Sequence, residues 1–145
     1  MRRSVKSALG VTLLEIMLVL AIAAMVVVMS IRYYQSATTN QKVSSTINGI
    51  IAVMAAGENY LSSNGSFTGM ADANITPYMP GNKMPVTGWA GVMSVSAGAQ
   101  GDTYTIAIPN VPAGVCPQLD AYLKQGGKAS LDSTTACTKV QVTTK

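Results

Sequence analysis

The sequence predicts an α+β fold: a long N-terminal helix whose apolar first half protrudes and whose amphipathic second half packs on a small antiparallel sheet. Three observations carry that expectation. Between residues 11 and 31 every side chain is apolar except Thr12, Glu15 and Ser30, and neither Gly nor Pro occurs between residues 11 and 46. Beyond Gly91 the apolar spacing changes from three and four to alternation, the period of a strand. Two cysteines, Cys116 and Cys137, bound a C-terminal lobe.

Each element has its own warrant. At about 1.5 Å per residue, a helix over residues 11–31 is roughly 31 Å long, enough to cross a bilayer's hydrocarbon core. Arg32 marks the outer edge of that span, and Tyr33 and Tyr34 suit the interface beyond it. After a polar stretch, apolar residues return at Val43, Ile47, Ile50, Ile51, Met54 and Leu61, the stripe of a helix laid on a core. Gly49 and Gly57 each weaken that helix by about 1 kcal/mol but let neighbours approach closely. The helix is expected from about Thr12 to Leu61, some 75 Å at about 1.5 Å per residue. Residues 62–91 are rich in Gly, Pro, Ser and Asn and read as a long surface loop with one short turn of helix or strand, and with Phe67, Tyr78 and Trp89 as its anchors. Residues 92–95 favour a strand, and residues 97–102 a turn. Residues 103–108 alternate with Tyr104, Ile106 and Ile108 on one face, until Pro109 and Pro112 end the strand. Residues 116–124 read as a short helix with Pro117 in its first turn and Gly126-Gly127 as its stop. Residues 138–143 alternate again as the last strand.

Glu15 is the anomaly. A carboxylate inside a membrane helix costs about 3 kcal/mol, so such residues are rare and usually functional. Arg2, Arg3 and Lys6 precede it and hold the leader on the cytoplasmic side by the positive-inside rule. An ordinary secretory signal peptide is the plainer alternative. Its apolar region is shorter than this one, excludes a Glu, and ends in a small-residue site that is poorly placed here. An uncleaved signal-anchor helix fits the length and leaves Glu15 unexplained.

The string ALGVTLLEIMLVLAIAA resembles the class III signal of type IV pilins: a basic leader, Gly, then a hydrophobic segment with Glu fifth after the cut. The motif covers residues 9–24. The run IPNVPAGVCPQL is similar to the approach of type IVb pilins to their first cysteine. The leader is shorter than type IVb leaders, Val11 replaces the usual Phe or Met, and Arg32 stands where many pilins have a helix-kinking Pro. The resemblance implies a leader over residues 1–10, a transmembrane and assembly helix over 11–32, and a globular pilin domain over 33–145. It implies a prepilin peptidase that cuts between Gly10 and Val11 and methylates the new terminus at Val11. Gly10 lets a protease hold the backbone closely. It further implies a self-assembled helical filament in which Glu15 matches an incoming subunit to the last one. The other partners implied are an inner-membrane assembly platform with its ATPase and minor pilins. The precursor and processed subunit would lie in the inner membrane, and the assembled pilus outside the cell. A pseudopilin of a type II secretion system shares the anchor. That subgroup usually carries a C-terminal calcium site and often lacks a disulfide, so the cysteine pair and the acid-poor C-terminus favour the pilin.

With the basic end inside, the cysteines lie outside the cytoplasm, where disulfides persist. A Cys116–Cys137 bridge closes a loop of roughly 20 residues and is worth about 3 kcal/mol in the chain-entropy model. Two free buried thiols are the alternative. The formal charge of +4 falls to +1 without Arg2, Arg3 and Lys6, so no nucleic-acid surface is evident. The chain has no His, two cysteines far from any CxxC pattern, scattered acids and none of the common nucleotide or hydrolase motifs. The expectation is no enzyme, no metal and no cofactor.

Overall fold

Helix α1 (Leu13–Asn64) is the largest element of the computed structural model, which describes residues 12–99, 101–127, 129–132 and 137–143. After it come a short helix α2 (Asp72–Ile75), 3-10 turns at Thr76–Tyr78 and Pro80–Asn82, strands β1 (Ser94–Ala97) and β2 (Thr103–Ala107), and a 3-10 turn at Ala113–Val115. Helix α3 (Cys116–Gln125) and strands β3 (Ala129–Leu131) and β4 (Lys139–Thr143) complete the order. The fold class is the expected α+β, and the long apolar helix, small antiparallel sheet and disulfide fit a pilin-like architecture.

The chain divides between Thr38 and Thr39 into two compact units. In the first, every residue from 12 to 37 is exposed. In the second, the four strands form one antiparallel sheet in the order β1-β2-β4-β3. Alternation puts Val95, Tyr104, Ile106, Val140 and Val142 on its buried face, and Ser96, Thr105, Gln141 and Ser130 in one cross-strand row on the other. The buried face closes on the second half of α1, joined by Phe67, Met70, Ile75, Met93, Leu119 and Leu123.

The helical stripe differs from the one expected. Val43 and Ile50 are buried, and Ile47, Met54 and Leu61 pack at the margin, but Ile51 is 56% exposed. The buried face instead includes Thr46, Gly49, Val53, Ala56, Gly57 and Tyr60. The reason is steric. A Cβ on Gly49 would lie 2.8 Å from Met93 Cε, and one on Gly57 2.8 Å from Tyr104 Oη. Met93, just before β1, and Tyr104 of β2 enter the helix surface where side chains are missing, and Ile51 lies outside that face.

Residues 65–93 are held in place by hydrogen bonds as well as by the buried side chains of Phe67, Met70, Ile75, Met79 and Met93. Phe67 N–H donates to Gly101 O at 3.0 Å, Ala97 N–H to Met70 O at 3.0 Å and Met93 N–H to Pro85 O at 2.9 Å. The Asp72 carboxylate accepts from Val95 N–H. The outer edge of β1 is thereby covered, which is how an edge strand avoids pairing with other chains. Of the three expected anchors, Phe67 is buried, Trp89 is partly buried against the core, and Tyr78 is 40% exposed with its hydroxyl on Ser63 Oγ at 3.2 Å. Thr46 closes a tight crossing: its hydroxyl donates to Lys42 O and accepts from Gly88 N–H, both at 2.9 Å. A Cβ on Gly88 would lie 2.4 Å from Lys42 O, so only glycine fits there.

The stretch over residues 62–91, expected as a loop with one short turn, instead holds α2 and two 3-10 turns; the other boundaries sit close to expectation. Helix α1 runs three residues beyond Leu61, α3 starts at Cys116 with Pro117 in its first turn, and Gly127 follows it at φ 70°. The first strand begins at Ser94 rather than Val92, since Val92 pairs back with Val86 in an isolated bridge. Strand β3 was not expected. Its three residues are too few to show a period, and β4 supplies the pairing.

Candidate functional site

The candidate site is the exposed apolar surface of α1 around Glu15. The large apolar side chains from Leu13 to Ile31 are exposed, from 49% at Ile16 to 78% at Leu13. The helix is long and apolar enough to cross a membrane, with none of its most hydropathic window buried, which is compatible with membrane insertion. A water-soluble monomer does not leave so large a contiguous apolar surface open.

Thr12 starts this helix. Its carbonyl accepts from Glu15 N–H at 3.0 Å and Ile16 N–H at 3.3 Å, and its Oγ1 accepts from Glu15 N–H at 3.3 Å. Thr12 therefore caps the first turn, its carbonyl and its hydroxyl both accepting from Glu15 N–H. Thr12-x-x-Glu15 is also the sequence pattern of a capping box. The pattern is legible in the sequence, and the hydrogen bonds of Thr12 give it a role there. Glu15 itself lies in the first turn, where a carboxylate meets the positive end of the helix dipole. It borders a shallow groove formed by Ile16, Val19 and Leu20. Gly10 and Val11, the expected cleavage and methylation positions, lie outside the described residues.

Cys116 and Cys137 are bonded to each other, with Cα atoms 5.5 Å apart, and both are buried. Cys137 N–H also donates to Cys116 Sγ at 3.2 Å. The bridge pins the first residue of α3 to the segment leading into β4.

Two other places could hold chemistry. A groove of about 450 Å³ is lined by Asn40, Val43, Ser44, Gln118, Ala121 and Tyr122, none of them charged. In the core, the Tyr104 hydroxyl is buried with no hydrogen-bond partner among the described residues. Burial pushes its ionisation well above the ordinary value near 10, and the Glu58 carboxylate adds to the effect. Among the described residues no cluster of three or more His, Cys, Asp or Glu could hold a metal ion.

Comparison with family models, with curated proteins and with solved structures returned no match. The functional reading therefore rests on the residues themselves.

Proposed function

We propose that this chain is a type IV pilin, a structural subunit that polymerises through α1 into a surface filament for adhesion, aggregation, motility or DNA uptake. The observation that carries the reading is Glu15: one carboxylate on an otherwise apolar, fully uncovered helical surface, in the same chain as a small disulfide-closed α+β domain. Lipid covers that surface before assembly. Outside the membrane it is covered by the same surface of other copies, because apolar burial is the force available. A contact between two different patches does not close on itself and builds a helical filament.

On this reading the prepilin peptidase cuts between Gly10 and Val11 and methylates Val11. The new amine is then one helical turn from Glu15 on its own chain and nearer still on a staggered neighbour. Pairing fixes register, because any other register leaves two buried charges alone at a cost of about 3–5 kcal/mol. The inner-membrane platform and its ATPase supply the work of extraction, and minor pilins complete the filament. The disulfide favours a pilin over a type II secretion pseudopilin. The test is electron microscopy of sheared surface material, with mass spectrometry of its subunit. The reading expects filaments whose subunit begins at methylated Val11; a surface subunit with an intact Met1 terminus contradicts it.

A further inference from the structure

Residues 12–38 carry two charged side chains, Glu15 and Arg32. They are opposite in sign and exposed, and neither side chain has a hydrogen-bond or ion-pair partner among the described residues. Seventeen residues separate them, about 26 Å along the helix axis and about 100° around it. Arg32 borders a shallow groove formed by Ala24, Met25, Val28 and Met29, as Glu15 borders its own.

We propose that Arg32 of one copy is the counter-ion of Glu15 in a second copy, within a parallel pair of α1 helices staggered by about 26 Å. The inference rests on the reading of the chain as a filament subunit and names a partner for its assembly site. Charge complementarity sets the occupant. The basic leader keeps all copies parallel in the membrane. Parallel copies at equal depth place Glu15 beside Glu15 and Arg32 beside Arg32, which disfavours lateral clustering. A slide of 17 residues removes both like-charge contacts and brings carboxylate to guanidinium, a geometry that allows two hydrogen bonds at once. That slide is close to the hydrocarbon thickness of about 30 Å, so the pair forms as a copy leaves the bilayer and not while both copies remain in it. Because the two groups occupy different faces, the second copy keeps its own Glu15 for a third, and the contact propagates. A carboxylate accepts several hydrogen bonds, so a terminal amine from another neighbour is accommodated at the same residue.

The test uses the full chain with Val19→Cys and Ser36→Cys. These positions lie one turn beyond Glu15 and Arg32 on nearly the same faces, keep the 17-residue separation and leave both charges intact. The native cysteines are bonded to each other and do not compete. Sheared filaments are oxidised and run on non-reducing gels. The expected result is an open ladder of dimers, trimers and larger species. Adding Arg32→Gln should cut filament yield at least about tenfold, through loss of a buried pair, and Arg32→Lys should restore most of it. A band that stops at dimer indicates a closed antiparallel pair and overturns the proposal. Wild-type yield from Arg32→Gln indicates that a lipid phosphate or water holds Arg32, and overturns it equally. Filaments without a ladder overturn this stagger while leaving the filament reading intact; absence of filaments from the unsubstituted chain overturns both.

Discussion

At the scale of single residues, Tyr104 shows how tightly the core is filled. Its ring centroid lies 4.7 Å from that of Phe67, and its hydroxyl reaches α1 at Gly57 without finding a partner. A buried, unpaired hydroxyl costs about 1–3 kcal/mol. Tyr104→Phe is therefore expected to raise stability by about 1–2 kcal/mol, read by urea denaturation of the detergent-solubilised chain. The same hydroxyl sets an alkaline limit. The native state holds its proton above the pH near 10 where the unfolded chain loses it, so the native state binds more protons there. The contribution of this hydroxyl is flat below that pH and falls by about 1.4 kcal/mol per pH unit above it, until the folded hydroxyl itself ionises. Tyr104→Phe should remove that slope in a pH series. Gly57→Ala places a Cβ 2.8 Å from Tyr104 Oη and should cost about 1–3 kcal/mol by overpacking. Combined with Tyr104→Phe the cost should shrink, a coupling that a double-mutant cycle measures.

At the scale of elements, legibility followed punctuation and period. Helix α3 was readable because Pro117 and Gly126-Gly127 bracket it, and β2 because Tyr104, Ile106 and Ile108 alternate. The buried face of α1 was less readable, because a stripe of apolar side chains does not show which small residues between them receive a neighbour. Gly49 and Gly57 carry no side chain, yet they mark where Met93 and Tyr104 enter. Thr46 is polar yet wholly buried, since its hydroxyl both donates and accepts across the helix–loop crossing. Strand β3 was illegible because three residues pair only when β4 is in place. The disulfide was legible from two cysteines with no other cysteine to pair with, expected outside the cytoplasm, and its energetic role is local to this part of the fold. Replacing Cys116 and Cys137 together by Ser should cost about 3 kcal/mol in the chain-entropy model. Thermal unfolding should show that loss, and subunit levels should fall before assembly is altered.

At the scale of the whole molecule, the chain joins a folded domain to an apolar helical surface with one carboxylate near its start. Glu15 stands out in the sequence by depth alone, whereas the role of Thr12 in starting the helix took the hydrogen bonds to see. The capping-box pattern that Glu15 completes in sequence, with no side-chain hydrogen bond among the described residues, and its proposed subunit pairing separate by substitution. Glu15→Gln keeps a capping residue and removes the charge; Glu15→Ala removes both. If the charge governs assembly, the two variants are nearly equally defective. The globular domain of each should still fold and oxidise its cysteines, since no core residue lies within residues 12–37. The decisive measurement is the yield of sheared filaments from cells in which Glu15→Ala is the sole pilin, set against processed subunit in the inner membrane. The account predicts abundant processed subunit and few or no filaments; filaments at wild-type numbers would contradict it and leave Glu15 as a tolerated polar residue.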